Sequence, residues 1–300
     1  MRALAKKKAY LDQETTDKLT ERFVALHKQE AAYRSDDYIS TMRKEPSDHD
    51  KKIVDVKCRY TMVKWCNKII DFCKASQETA SMAMSNLDRF LSTEQGNFCL
   101  YDRRWFQLAA MCSLQLAVKM NESSTLEIDT LIELSRGVFT VDEIVLMEQD
   151  ILSALSWRLC PPTANEFLAL FFDMLPASLS TAHKEVLHKR SKKQICLSLP
   201  HYEFCILKFS AVAFAALLNS MEEVKVPRQI KENFIKCATD VGFHYTNDII
   251  RPLRVNLKNL LLSNSKDKKK TNSHSSTRPS SHRSKMNSDI DSPVCVAQCG

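Results

Sequence analysis

Two charges stand where charge is out of place. Lys119 closes a run in which, from Trp105 to Met120, twelve of sixteen residues are apolar. Glu148 falls on an apolar stripe through Ile144, Ile151, Leu152 and Leu155. A charge on an apolar face needs a partner, because burying it unpaired costs several kcal/mol. Two roles meet that need. The residues pair with each other as a structural bridge, or they form a binding socket.

The other chemistry-bearing residues mainly rule things out. Eleven cysteines include no CxxC pair, and eight histidines show no HExxH spacing, so no metal site is expected. The four glycines form no Gly-rich loop, which leaves neither a dinucleotide fingerprint nor a phosphate cradle, and no cofactor is expected. Cys58, Cys66, Cys73, Cys112 and Cys205 lie in apolar helical runs with no secretory leader ahead of them, a pattern that fits reduced thiols in the cytosol or nucleus. Trp65 and Trp105 read as core or half-buried helix residues rather than ligand cages.

The elements that position Lys119 and Glu148 follow from periodicity. The run 103–120 has no face suited to water and no Gly or Pro, so it is expected as the central helix of a bundle, with Asp102 as its cap; at four turns it is too short to span a bilayer. Around it, helices are expected over 53–75, from Ser76 to before Gly96, from a Ser124/Glu127 capping box to about 135, and from a Thr140/Glu143 capping box to about 157. After Pro161-Pro162, a Thr163/Glu166 pattern opens a second set: 163–175, 181–197, 202–220, 227–242 and 247–262. An amphipathic helix at 12–33 precedes both sets, followed by a linker through Pro46. The expected architecture is all-α: residues 1–50 as N-terminal helix and linker, five-helix lobes at 51–158 and 163–262, and a disordered basic tail at 264–300.

Several linked motifs carry a family resemblance. MVKWCNKII, SNLDRFLS, LAVKMNE and VLMEQDILSALSWRLCPPTANEF, in that order over roughly 110 residues, resemble the cyclin box. HKQEAAYRSDDYI resembles the helix and Tyr-bearing segment ahead of that box, and FSAVAFAALL the small-residue helix of the C-terminal cyclin lobe. VKMNES and the Trp-Arg-Leu after the fifth helix lean toward the D-type, or G1, group, with an A- or B-type mitotic assignment as the alternative.

The resemblance implies two cyclin-fold lobes and a regulatory subunit without chemistry of its own, which binds and activates a cyclin-dependent Ser/Thr kinase in cell-cycle progression at G1/S. Lys119 and Glu148 match the charged pair that in cyclins grips the kinase backbone. Met120, Leu152, Trp157 and Leu159 match the apolar socket around it, and Tyr38 lies in the matching upstream segment. Positions matching the substrate-docking groove hold Cys58, Thr61, Trp65 and Lys68 from the first box helix, with Phe106 and Gln107 from the central one. An aromatic floor is expected there with an altered rim: Lys68 puts a cation where a basic peptide would approach, so acidic or purely apolar peptides are favoured.

A nuclear and cytoplasmic location is expected, with protein substrates and inhibitors as further partners and no membrane or nucleic acid. Ser292-Pro293 is the Ser/Thr-Pro site for phosphorylation. Lys231-Glu232-Asn233 spells a degradation signal but falls within an expected helix. A cyclin-fold transcription factor binding DNA is the competing class, because the net charge is +7, and a helical scaffold is another.

Overall fold

The computed structural model describes residues 12–42 and 53–272. Among them it is helical throughout, with no strand: α1 (Gln13–Ala32), α2 (Val56–Phe72), α3 (Gln77–Leu91), a 3-10 turn (Asn97–Leu100), α4 (Arg103–Asn121), α5 (Ile128–Leu134), α6 (Val141–Ala154), α7 (Ala164–Asp173), α8 (Thr181–Ser198), α9 (Tyr202–Cys205), α10 (Phe209–Glu223), α11 (Arg228–Asp240) and α12 (Asn247–Asn272). The described chain divides into two compact units. One holds 33–42, 53–163, 196–207 and 265–272; the other holds 12–32, 164–195 and 208–264.

In the first unit every residue of α4 from Phe106 to Val118 is buried. Ala109, Ala110, Ser113 and Ala117 let neighbours close in on all sides, and α2, α3, α6 and the 3-10 turn surround the rod. The Asp102 side chain caps it by accepting from the Arg104 amide at 2.8 Å. Ser76 caps α3, and Thr140 with Glu143 forms the reciprocal capping box of α6.

Gly96 has a different job from a left-handed turn. Its φ is −97°, and a Cβ there would overlap the Phe90 carbonyl, so close approach requires glycine. Nor does Ser124 cap α5, which starts after Glu127 with no side-chain cap.

The second unit is built on α10, buried from Ser210 to Met221. Phe171, Phe214, Phe234 and Phe243 meet as an aromatic cluster with centroids 4.6–6.0 Å apart. The N-terminal helix belongs here. Phe23 packs edge-on to Phe243, and Glu30, on the buried stripe, accepts from the Ser210 amide and hydroxyl, each at 2.8 Å, where α10 begins.

One expected helix is two. The stretch 202–220 breaks at 206–208, because Tyr202 and Phe204 are buried and residues 196–207 belong to the first unit while 208 onward belongs to the other. α12 continues through Asn272, past the start of the expected tail; residues 273–300, with Ser292, lie outside the described residues. Lys231, Glu232 and Asn233 sit inside α11.

Candidate docking face

α4 and α6 bring Lys119 and Glu148 together. The Lys119 ammonium donates to both carboxylate oxygens, at 2.8 and 2.9 Å, and the side chains are 36% and 19% exposed. The structural bridge therefore forms, at a surface where an approaching backbone can reach both groups. Met120, the next residue, is 52% exposed, and Leu152, one turn beyond Glu148, is half-buried.

Trp157 is the most exposed large apolar side chain among the described residues, at 74%. It sits on a two-residue left-handed turn, Ser156 at φ +49° and Trp157 at φ +61°, where the Trp157 amide donates to the Leu152 carbonyl at 2.9 Å. Such a turn ordinarily takes glycine. It is held from beneath by α3: Arg89 donates to the Arg158 carbonyl at 2.7 Å, and Asn86 to the Leu159 carbonyl at 3.0 Å.

Sequence reasoning missed these two clamps. The signal was there in SNLDRFLS, since Asn86, Asp88 and Arg89 put three polar groups within four residues of a helix buried on nearly all sides.

The same helix holds a second feature that sequence reasoning passed over. Arg59, 1% exposed, forms a bidentate pair with Asp88 at 2.8 and 2.7 Å and also donates to the Leu199 and Pro200 carbonyls. Tyr38 donates its hydroxyl to Asp88 at 2.8 Å; burial, with the Asp88 charge adding to it, pushes the phenol well above its ordinary pKa. Tyr38 and Leu159, at 3% and 4% exposed, are core residues, so neither presents a docking surface as expected. They act by supporting what lies above them.

The expected groove is largely closed. Cys58, Trp65, Phe106 and Gln107 are buried, which leaves Thr61, half-buried, and Lys68, exposed, at the surface. Burial pushes the Cys58 thiol up to about 11. The Thr61 hydroxyl donates to the Lys57 carbonyl at 2.9 Å, so this rim is a polar helix face with a cation rather than an open aromatic floor. Among the described residues no group of three metal-ligating side chains converges, and no helix is long and apolar enough to cross a membrane.

Comparison with known proteins places this geometry. A family model described as the cyclin N-terminal domain matches residues 22–160, which run from within α1 to just beyond the Trp157 turn. The G1/S-specific cyclin-D1 of Xenopus laevis is 27% identical over 216 residues, covering 72% of this chain and 68% of that protein. Cyclin-A3-2 of Arabidopsis thaliana is 27% identical over 194 residues, covering 65% of this chain and 46% of its own length. A solved viral cyclin from herpesvirus saimiri superposes with a TM-score of 0.54 at 19% identity, covering 69% of this chain and 87% of that one, which shows the fold. Residues 22–160 thus match the cyclin N-terminal domain, and the chain shares its fold with a solved cyclin.

Proposed function

We propose that the chain is the non-catalytic regulatory subunit of a cyclin-dependent Ser/Thr protein kinase, and that it docks the kinase on the face of Lys119, Glu148, Met120, Leu152 and Trp157. The observation that carries this is Trp157, an indole held out to solvent on a strained turn that α3 clamps in place, at the end of the helix that carries Glu148 of the surface ion pair. Nothing in the unit's own packing accounts for that arrangement, and an aromatic anchor with a charged neighbour is what a docking surface needs.

The mechanism is positioning. Kinase catalysis requires a lysine–glutamate pair that forms only when the kinase's C-helix is inward, so a rigid surface that holds that helix activates without touching the reacting atoms. Lys119 and Glu148 satisfy each other in the free chain. On docking they turn to backbone carbonyls and amides of the partner that have lost water, which makes the contact strong without depending on the partner's side chains.

The finer assignment is D-type control of G1/S progression in nucleus and cytoplasm, supported by VKMNES at 118–123 and by the match to a relative named as G1/S-specific. Protein substrates and inhibitors are the further partners. The test is a pull-down against a panel of cyclin-dependent kinases with the double variant Lys119→Ala, Glu148→Ala. Binding should be lost while melting stays near wild type, because a pair this exposed contributes only about 0–1 kcal/mol to the fold. Undiminished kinase capture by the double variant overturns the docking face. Identifying the kinase that co-purifies from synchronised cells, and imaging the tagged chain in them, decides the phase and the location.

A further inference from the structure

The second unit contains a cavity that the kinase-docking reading does not use. It has a volume of about 410 Å³, within the range of small-ligand pockets, and lies where the start of α8 meets the loop between α10 and α11. Its lining contains no acidic residue. Lys225 and His183 supply cationic or proton-donating groups, Ser178 and Ser180 supply hydroxyls, and Leu179, Val226 and Ile230 form an apolar wall. The Lys225 side chain is exposed and makes no ion pair with a described residue.

His183 and Ser180 form a coupled donor. Ser180 Oγ lies 2.7 Å from His183 Nδ1. If the hydroxyl donates to Nδ1, Nε2 carries the proton and can donate outward. If Nδ1 donates to the hydroxyl, the hydroxyl's own proton is released to donate instead. Either tautomer therefore offers one hydrogen to an acceptor, and an imidazolium offers more.

The neighbouring helix α8 has the same sign, and the acids nearest Lys225 in the chain, Glu222 and Glu223, are already paired with Arg254, Lys258 and Arg190. α8 carries Lys184, Lys189, Arg190, Lys192 and Lys193 against one acid, Glu185, and its first turn has no acidic residue. The first turn of α11 has none either. Both helices thus begin at this cavity with their amide ends uncompensated by a carboxylate, which adds to the attraction that the side chains establish.

We infer that this cavity accepts the phosphate of a phosphoserine or phosphothreonine side chain of a partner protein, with Lys225, His183 and the two hydroxyls on the phosphate and a neighbouring apolar residue of the peptide on Leu179, Val226 and Ile230. A fully anionic groove such as a nucleic-acid backbone has no use for the apolar wall, and a purely apolar peptide has none for the lysine. A phosphorylated peptide matches both.

The experiment titrates the full chain with a fluorescent peptide pool fixed at a central phosphothreonine, with the same pool unphosphorylated, and with inorganic phosphate. The phosphorylated pool should bind, and the unphosphorylated pool should bind at least about tenfold more weakly. Lys225→Ala and His183→Ala should each cost about tenfold, while Lys192→Ala with Lys193→Ala, on the same helix but outside the cavity, should cost less than about threefold. Melting curves confirm that these surface variants fold. Equal binding of the two pools overturns the inference, as does binding of inorganic phosphate alone, or an equal loss in the Lys192/Lys193 variant, which marks diffuse attraction. A single-stranded oligonucleotide that displaces the peptide pool at equal concentration overturns it as well. Because the readout is peptide binding without any kinase, its failure leaves the docking face of Lys119 and Glu148 untouched.

Discussion

In Trp157→Gly the most exposed large side chain of the docking face is removed, and with it the steric conflict that a Cβ meets at φ +61°. The two effects have opposite signs and different readouts. A side chain 74% exposed leaves roughly 170 Å² of indole open, taking the upper range for a large aromatic. Covering it at about 25 cal/mol per Å² gives a ceiling near 4 kcal/mol. Ordering costs at an interface bring this to about 2–3 kcal/mol, or roughly 30- to 150-fold in Kd. For the fold, relief of a left-handed conformation is worth about 1–2 kcal/mol, and glycine's greater freedom in the unfolded chain takes back about 0.5–1. The variant should therefore be as stable as wild type or about 1 kcal/mol more so, and much weaker in binding. Denaturant unfolding and calorimetric titration with the co-purified kinase measure the two separately. Kinase affinity within twofold of wild type refutes the docking role, and a stability loss above about 1 kcal/mol shows that the turn needs its tryptophan for packing.

Asp88→Asn leaves Arg59 charged and buried beneath Tyr38, and unfolding should become easier by about 3–5 kcal/mol, with a loss below 1 arguing against the pair as a support of the first unit. Lys68→Glu should raise affinity for basic peptides at the Thr61 rim and lower it for acidic ones in a labelled-peptide titration; no change in either removes the groove from consideration. Burial raises the Glu30 pKa more than its bonds from Ser210 lower it, so folding favours the protonated acid. Its contribution is then complete below the unfolded-state pKa and declines as pH rises through the folded one. Relative to Glu30→Gln, the wild type should lose stability as pH rises above the ordinary carboxylate range in denaturant melts, and a parallel pair of pH profiles contradicts this.

Periodicity and capping patterns carried most of the helical layout, because α4 is apolar on all sides and Ser76, Asp102 and Thr140 each have the side chain and spacing that local geometry requires. The Lys119–Glu148 pair was legible for the same reason: a charge breaking an apolar stripe announces a partner. What stayed hidden depends on residues far apart in the chain. Arg59 sits in a helix whose sequence gives no hint that Asp88 and the Leu199 carbonyl lie against it. The break at 206–208 arises because the two sides pack in different units, while local sequence favours one continuous helix. The lysines after Ser263 read as tail by composition, yet lysine is a good helix former and α12 runs on.

The interleaving of the two units has a consequence for synthesis. Glu30 meets Ser210 across 180 residues, so α1 emerges from the ribosome well before the helix whose amino end it caps. At about 5–20 residues per second that interval is on the order of ten to forty seconds. For most of it α1 has no α7 to pack on, and for all of it Phe23 has no Phe243, while an isolated amphipathic helix of 20 residues is only marginally formed in water. The nascent chain thus carries an early, sticky segment waiting for late partners, while the residues between them can collapse around α4 first. That order makes α1 the natural place for a chaperone to hold the growing chain.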